Sequence, residues 1–198
     1  MPKFIHNHTP DSEIVETLMY NDNDQLIEHK FSKGERLEGE FKAWHENGAL
    51  YRRGMYRNGS ADGEHLCWYA DGQLREYELW INGNLKLLKE WYEDGRFAEM
   101  AFCEDGYYDG ERKVWRKNGL IGVHSFYKKG KLNGERKLWD KHGKLTSHLY
   151  FRENISNDIN QSQKCTLLNI KKRISCRHFE WVKINIIPDL LGIVCQYI

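Results

Sequence analysis

The chain has 198 residues, the length of one domain or of one domain with a small appendage. Its 30 basic and 29 acidic residues leave a net charge of +1, which argues against a general binder of polyanions. Seventeen Gly, only three Pro and an aromatic content of 13% favour a turn-rich β protein over a helical one.

The cysteines and the apolar runs bear on the compartment. The five cysteines are odd in number and form no Cys-x-x-Cys pair, which favours a reducing environment over a disulfide framework. The first residues contain no continuous apolar core of a secretory signal, and no apolar run approaches the roughly 20 residues of a membrane span. We therefore expect a cytoplasmic protein that is neither secreted nor membrane-spanning.

Residues 1–38 predict an N-terminal segment with a degenerate repeat. The stretch YNDNDQL at 20–26 lines up with WHENGAL at 44–50, which begins the first clear turn of the repeats. A repeat array needs a polar unit at each end, because an inner unit buries its apolar surface only against its neighbours. We expect residues 1–38 to be such a cap.

Five repeat units of about 24 residues occupy positions 39–152. Five of the seven tryptophans recur at steps of 24, 23, 24 and 24, and a glycine follows each of these five by four residues. We predict that these residues form a structural ladder: Trp44, Trp68, Trp91, Trp115, Trp139, Gly48, Gly72, Gly95, Gly119 and Gly143. In the third unit, Lys86 stands where the opening glycine is expected and the residue before it is missing.

Each unit reads as one β-hairpin. Asn and Gly accept the positive φ angles of a tight turn, and a three-residue loop ending at Gly48 would set Trp44 opposite Leu50. The same count pairs the other tryptophans with Leu74, Phe97, Ile121 and Leu145. The pattern predicts a mainly β fold, a single-layer antiparallel meander of hairpins. Adjacent apolar residues such as Met55 and Tyr56 leave two interpretations open: both faces are partly covered, or a bulge intervenes.

The repeated phrases GEFKAW at 39–44, GERKVW at 110–115 and GERKLW at 134–139, each followed by a turn glycine, resemble the MORN repeat in its variant form. The resemblance covers 39–152 and, faintly, 14–38. Variant repeats of this type occur in bacterial proteins, including a family described as antitoxins, and in large DNA viruses of eukaryotes. It implies an all-β scaffold that binds proteins or acidic membrane lipid.

Residues 153–198 predict a helical tail. A polar linker or frayed start precedes Leu167, Ile170 and Ile174 at helical spacing, and Pro188 stands where a helix begins. One interpretation is a C-terminal cap of the repeats. The other is that IPDLLGIVCQYI at 187–198 resembles the first helix of an F-box, which implies that four residues contact a ubiquitin-ligase linker protein: Pro188, Leu190, Leu191 and Tyr197.

The sequence carries no recognisable catalytic set. No HExxH motif, zinc-finger spacing or phosphate-binding loop is present, so we predict no enzyme, no cofactor, no metal site and no small-molecule substrate. Glutamates at 40, 64, 111 and 135 recur in phase, and we expect them to pair with Lys or Arg on neighbouring strands.

Residues 112–144 contain eleven Lys or Arg and two Asp or Glu. This stretch is either a set of solvated strand faces or a surface for an acidic partner or anionic lipid. The residues of that surface would be Arg112, Lys113, Lys128, Lys129, Lys131, Arg136 and Lys137. The balanced overall charge and the lack of a known motif disfavour nucleic acid.

The leading hypothesis is a non-enzymatic scaffold for protein–protein interaction, in a host cytoplasm if the protein is viral. The alternatives are an F-box-like ubiquitin-ligase adaptor, an antitoxin that neutralises a co-encoded toxin, and a peripheral binder of anionic membrane.

Overall fold

The computed structural model of the protein describes residues 3–8 and 13–158. Within these ranges all regular structure is β, which confirms the mainly β prediction; the predicted tail helices lie outside the described residues. The strands are β1 (Lys3–His8), β2 (Ile14–Tyr20), β3 (Leu26–Lys33), β4 (Arg36–Trp44), β5 (Leu50–Arg57), β6 (Ser60–Ala61), β7 (Gly63–Trp68), β8 (Leu74–Ile81), β9 (Asn84–Trp91), β10 (Phe97–Glu104), β11 (Tyr107–Trp115), β12 (Ile121–Lys128), β13 (Lys131–Trp139), β14 (Leu145–Arg152) and β15 (Ile155–Asp158).

The strands form one sheet in which each strand lies beside its neighbour in sequence. The order runs from β1 to β15 without a crossover, and the two-residue β6 pairs with β5 beside the path. The pairings between the described strands are antiparallel, which confirms the predicted meander. The last strand, β15, lies within the polar stretch after residue 152 that the composition predicts as a linker or frayed start.

Two kinds of turn alternate along the chain. After each of the five phased tryptophans a three-residue loop closes, as predicted: His45 N–H donates to Ala49 O at 2.8 Å, Gly48 N–H donates to His45 O at 2.9 Å, and Gly48 has φ 82°. At the opposite strand ends the turns have two residues, and in Asn58-Gly59 both φ angles are positive. Such mirror-image turns match the right-handed twist of the strands. We call these two sides the loop edge and the turn edge.

The register confirms the predicted cross-strand pairs. Trp44 lies opposite Leu50, Trp68 opposite Leu74, Trp91 opposite Phe97, Trp115 opposite Ile121 and Trp139 opposite Leu145. Upstream, Tyr20 lies opposite Leu26, so the degenerate unit forms the same hairpin from β2 and β3. At the other end, Asn154 N–H donates to Leu132 O of β13 at 2.9 Å, as Gly130 N–H donates to Tyr108 O of β11, so the turn after β14 is tied to the sheet like the turn before it.

The adjacent apolar residues at the end of each second strand occupy opposite faces of the sheet, and a bulge is also present. Met55 pairs with Glu40 and Tyr56 with Gly39, so the two side chains point to opposite faces. A bulge then separates each unit from the next: between β12 and β13, Phe126 alone faces Asn133, Gly134 and Glu135. We call the side that carries Trp44, Glu40 and Met55 the tryptophan face, and the side that carries Tyr56 the arginine face, since Arg112 and Arg136 also lie there.

The third unit is irregular, as predicted. Between β8 and β9, Leu79 pairs with Leu87 and Trp80 with Leu85, so only Lys86 is extra. The equivalent bulges have three residues facing one, and their glycines, such as Gly134, have φ above 90°. The missing residue therefore shortens this bulge and removes the need for a glycine.

The tightest packing lies on the arginine face. All seven buried side chains within the described residues point to that side: Thr17, His65, Cys67, Ala101, Cys103, Ser125 and Phe151.

Candidate interaction faces

The tryptophan row runs along the loop edge of the tryptophan face. All five indoles are half-buried, and Phe97 lies between two of them, with ring centroids 5.0 Å from Trp91 and 5.4 Å from Trp115. Their cross-strand partners Phe97 and Leu145 are exposed. The row is therefore an apolar strip that water reaches from one side.

A second apolar row, near the turn edge of the same face, escaped the sequence reasoning. It consists of one residue from each hairpin: Phe31, Met55, Leu79, Phe102, Phe126 and Tyr150. Met55, Phe102 and Tyr150 are more than 40% exposed. The bulge glycines leave room for these side chains, because a Cβ at Gly134 would lie 3.0 Å from the Cβ of Phe126. These residues recur at intervals of about 24, and this period is the sequence signal that could have revealed the row.

A strip of paired charges separates the two apolar rows. Glu40 contacts Lys42 at 2.6 Å on its own strand and Arg53 at 2.7 Å on the next, and the hydrogen bond from Lys42 is the main reason that the pKa of Glu40 is lowered. Glu111 repeats this with Lys113 and His124, at 2.9 and 2.8 Å.

The predicted glutamate pairing is thus confirmed for Glu40, which meets Arg53 across the strands. At Glu111 and Glu135 the cross-strand partner is a histidine instead, and the lysine lies on the same strand. The prediction is wrong for Glu64, which accepts a hydrogen bond from the Tyr77 hydroxyl at 3.0 Å.

The arginine face centres on one forked ion pair. Arg112 donates from Nε to Glu99 Oε1 at 2.7 Å and from a terminal nitrogen to Oε2 at 2.8 Å, and its guanidinium lies 5.0 Å from the centroid of the Tyr108 ring. Burial opposes the charge of Arg112, but the hydrogen bonds and the charge of Glu99 outweigh it and raise the pKa of Arg112. The pair is a fixed structural element because both side chains are mostly shielded from water.

Three glutamates lie side by side on this face. Glu90 pairs in register with Glu76 on one side and with Glu99 on the other. Burial, followed by the charges of Glu99 and Glu76, raises the pKa of Glu90. Among the described residues Glu90 has no hydrogen bond or ion pair, and no group of three or more His, Cys, Asp or Glu is arranged to hold a metal ion there. The row is therefore a site of unfavourable like charge.

His65 is the largest fully buried side chain in the described part of the chain, at 1% exposure. Its Nε2 lies 2.8 Å from Met55 O, whereas its Nδ1 is buried without a partner. The ring lies against Gly54, where any Cβ would overlap with it. Burial lowers the pKa of His65, so the imidazole is neutral at pH 7.

A ladder of side-chain hydrogen bonds joins the units at the loop edge, and sequence reasoning missed it. The residue after each of the first four tryptophans of the row reaches the carbonyl of the next tryptophan in the row. His45 lies 2.9 Å from Trp68 O, Tyr69 donates to Trp91 O at 2.8 Å, Tyr92 donates to Trp115 O at 2.7 Å, and Arg116 donates to Trp139 O at 2.6 Å. The sequence signal was that the residue after each of these four tryptophans has a side chain that can donate a hydrogen bond, although its identity varies.

The structure does not gather the seven predicted basic residues on one surface. Arg112 is held by Glu99 on the arginine face, whereas Lys113 and Lys137 contact Glu111 and Glu135 on the tryptophan face. Lys128, Lys129 and Lys131 lie exposed at the turn edge. Arg136 lies on the arginine face, opposite Ser125.

The four predicted partner-binding residues of the tail, Pro188, Leu190, Leu191 and Tyr197, lie outside the described residues. Among the described residues, no helix is long and apolar enough to cross a membrane.

Within the described residues, the phased hairpins, the tryptophan row and the inter-unit ladder define an antiparallel β-repeat protein. The family model of the MORN repeat variant matches residues 37–58 and 61–82. These are two adjacent units, β4 with β5 and β7 with β8, and the match supports the resemblance that the repeated phrases indicate. Comparison with curated proteins gave no match.

Proposed function

We propose that the protein is a non-enzymatic scaffold whose tryptophan face docks a protein partner. The observation that carries the proposal is the layout of that face, in which two half-exposed apolar rows flank charges that already have partners. Such a surface gains by burial of apolar area and loses little by desolvation of free charge. MORN repeats are interaction modules for proteins and membranes, which agrees with this role.

The test is a cross-linking pull-down with the full chain and with two serine variants. Met55→Ser with Phe102→Ser removes two exposed members of the second row without adding charge. Tyr107→Ser is the matched control, because Tyr107 is 61% exposed at the turn edge and lies outside the row. We expect the double variant alone to lose the partner. Equal capture by all three proteins would contradict docking on this face.

A second candidate function is an F-box-like adaptor that uses the tail, favoured by the pattern at 187–198. Leu190→Asp with Leu191→Asp should abolish co-precipitation with the ubiquitin-ligase linker protein. A truncated chain that ends after Asp158, and so retains β15, should also fail to co-precipitate with the linker protein. Unchanged co-precipitation of either variant would contradict the adaptor hypothesis. If the truncated and full chains capture identical partners, the tail has no recruiting role and the capping interpretation gains support.

Two further alternatives have simple tests. For a peripheral membrane binder, the three exposed lysines at the turn edge are the candidate residues, and their replacement by glutamine should stop flotation with anionic liposomes at low salt. Failure of the parent chain to float would remove this candidate. The antitoxin hypothesis requires a toxin gene adjacent to the gene of this protein, and the absence of such a gene would contradict it.

A further inference from the structure

Arg136 occupies the same place in the fifth unit that Arg112 occupies in the fourth. Each lies three residues before the tryptophan of its unit, on β13 and β11 respectively, and each points to the arginine face. Each also lies directly opposite a small buried residue on the preceding strand, Ser125 for Arg136 and Ala101 for Arg112. The two sites are therefore two copies of one local arrangement.

The fourth-unit copy is occupied by a carboxylate from within the chain. Glu99, on the preceding strand, accepts two hydrogen bonds from Arg112, and the Tyr108 hydroxyl lies 3.2 Å from the same carboxylate. In the fifth unit, the residue in the place of Glu99 is Val123 and the residue in the place of Tyr108 is Leu132. The arginine is thus repeated without its carboxylate.

The arginine of the fifth-unit copy has no partner within the described residues. Among the described residues, Arg136 makes no hydrogen bond and no ion pair, and its cross-strand neighbours are Ser125 and Leu149, neither of which is acidic. Ser125 has 0% exposure, and its hydroxyl has no hydrogen-bond partner. A buried hydroxyl without a partner is costly, whereas the guanidinium of Arg136 is half-buried and has no acid beside it.

We propose that this site receives a carboxylate of an acidic segment in a partner protein, held by Arg136 in the manner in which Arg112 holds Glu99. The surroundings favour a side-chain carboxylate over a free phosphate, because Val123, Leu138 and Leu149 offer apolar surface to an aliphatic stem. The inference rests on the proposed scaffold function for the nature of its ligand, but it concerns the opposite face.

The experiment measures binding of a fluorescein-labelled, end-blocked hexaglutamate peptide to the full chain by fluorescence anisotropy at low salt. Arg136→Gln should weaken binding by about tenfold or more, the effect of one charge-assisted pair. Val123→Glu should weaken it as much although Arg136 is still present, because the new carboxylate takes the site. Val123→Gln, of the same size but uncharged, should bind like the parent.

Lys137→Gln is the matched charge control, since it removes one positive charge at the next residue but from the tryptophan face. It should change the affinity by less than about twofold, because Lys137 lies on the opposite face and is already paired with Glu135. Equal weakening by Lys137→Gln and Arg136→Gln would reduce the effect to net charge and overturn the proposal. So would unchanged binding by Val123→Glu, or no binding by the parent chain.

Two more arms identify the source and protect against misfolding. If inorganic phosphate or vesicles with anionic lipid bind in a manner that requires Arg136 while hexaglutamate does not bind, the carboxylate assignment is wrong. The Nε–H resonance of Arg136 should move in the Val123→Glu variant without any peptide, as an internal pair forms. The Met55→Ser, Phe102→Ser variant should keep its hexaglutamate affinity. Docking on the tryptophan face and carboxylate binding on the arginine face are therefore tested independently.

Discussion

Along the tryptophan face each unit presents the same kinds of side chain, whereas along the arginine face the units differ. The place three residues before the tryptophan holds Phe41, His65, Leu88, Arg112 and Arg136 in turn. All buried side chains of the described residues nevertheless lie on the arginine face. The repeated face is thus the half-exposed one, and each unit finds its own packing on the other. Periodicity sets strand pairing, while burial depends on individual neighbours.

The largest expected effect tests the repeated face. Trp115→Ala should lower the free energy of unfolding by about 2–4 kcal/mol, because it removes an indole that packs on Ile121 and Phe97. Urea denaturation measures the loss. Trp139→Ala, in the last unit, is the comparison and should cost less. If both variants lose the same amount, the packing between units contributes nothing beyond the hairpin itself.

The next effect tests the individual packing of the arginine face. Gly54→Ala should destabilise the chain by about 1–3 kcal/mol, since the added methyl overlaps with the buried His65 ring. The φ of Gly54 is not positive, so the cause is steric rather than conformational. In a His65→Ala background the added methyl of Gly54→Ala should no longer destabilise the chain. A double-mutant cycle measures this coupling between the two positions. Additive losses would contradict the steric explanation.

A smaller effect tests the ladder that joins the units. Tyr92→Phe removes only the hydrogen bond to Trp115 O and should cost about 0.5–1.5 kcal/mol. Tyr107→Phe is the control: Tyr107 is exposed, has no hydrogen bond among the described residues, and should leave the unfolding midpoint unchanged. A midpoint shift of equal size in both variants would show that the ladder adds no stability.

The smallest effect has the opposite sign. Glu90→Gln should stabilise the chain at pH 7 by a few tenths of a kcal/mol, because it removes one of three adjacent carboxylates. Since the folded chain raises the pKa of Glu90, the folded state binds more protons there than the unfolded state. The parent therefore recovers stability as the pH falls through the raised pKa toward the ordinary value of about 4.3, and the advantage of Glu90→Gln shrinks.

Chemical denaturation of both proteins at pH 7 and near pH 4.5 measures this difference. Glu76→Gln, at the edge of the row, tests whether removal of a neighbouring carboxylate also stabilises the chain at pH 7. A Glu90→Gln variant that is less stable than the parent at pH 7 would contradict the assignment of Glu90 as an unpaired, unfavourable charge.

Much of the fold was predictable, and the candidate site much less so. The tryptophan–glycine spacing predicted the loop type and the opposite residue for each tryptophan, because a three-residue loop permits one register. The second apolar row was not predicted, since bulges shift the phase between a strand and its neighbour. The scatter of the basic residues was not predicted either, because neighbours in sequence such as Arg112 and Lys113 point to opposite faces and meet different acids.

What the sequence determined alone is local: the turn residues that accept positive φ, the strand lengths between them, and hence the meander from β2 to β14. What only the tertiary structure decided is which side chains meet across units that are some 24 residues apart, such as Arg112 with Glu99 and Arg136 with no acid. Turns act through a few consecutive bonds, whereas partners across strands depend on every bulge between them.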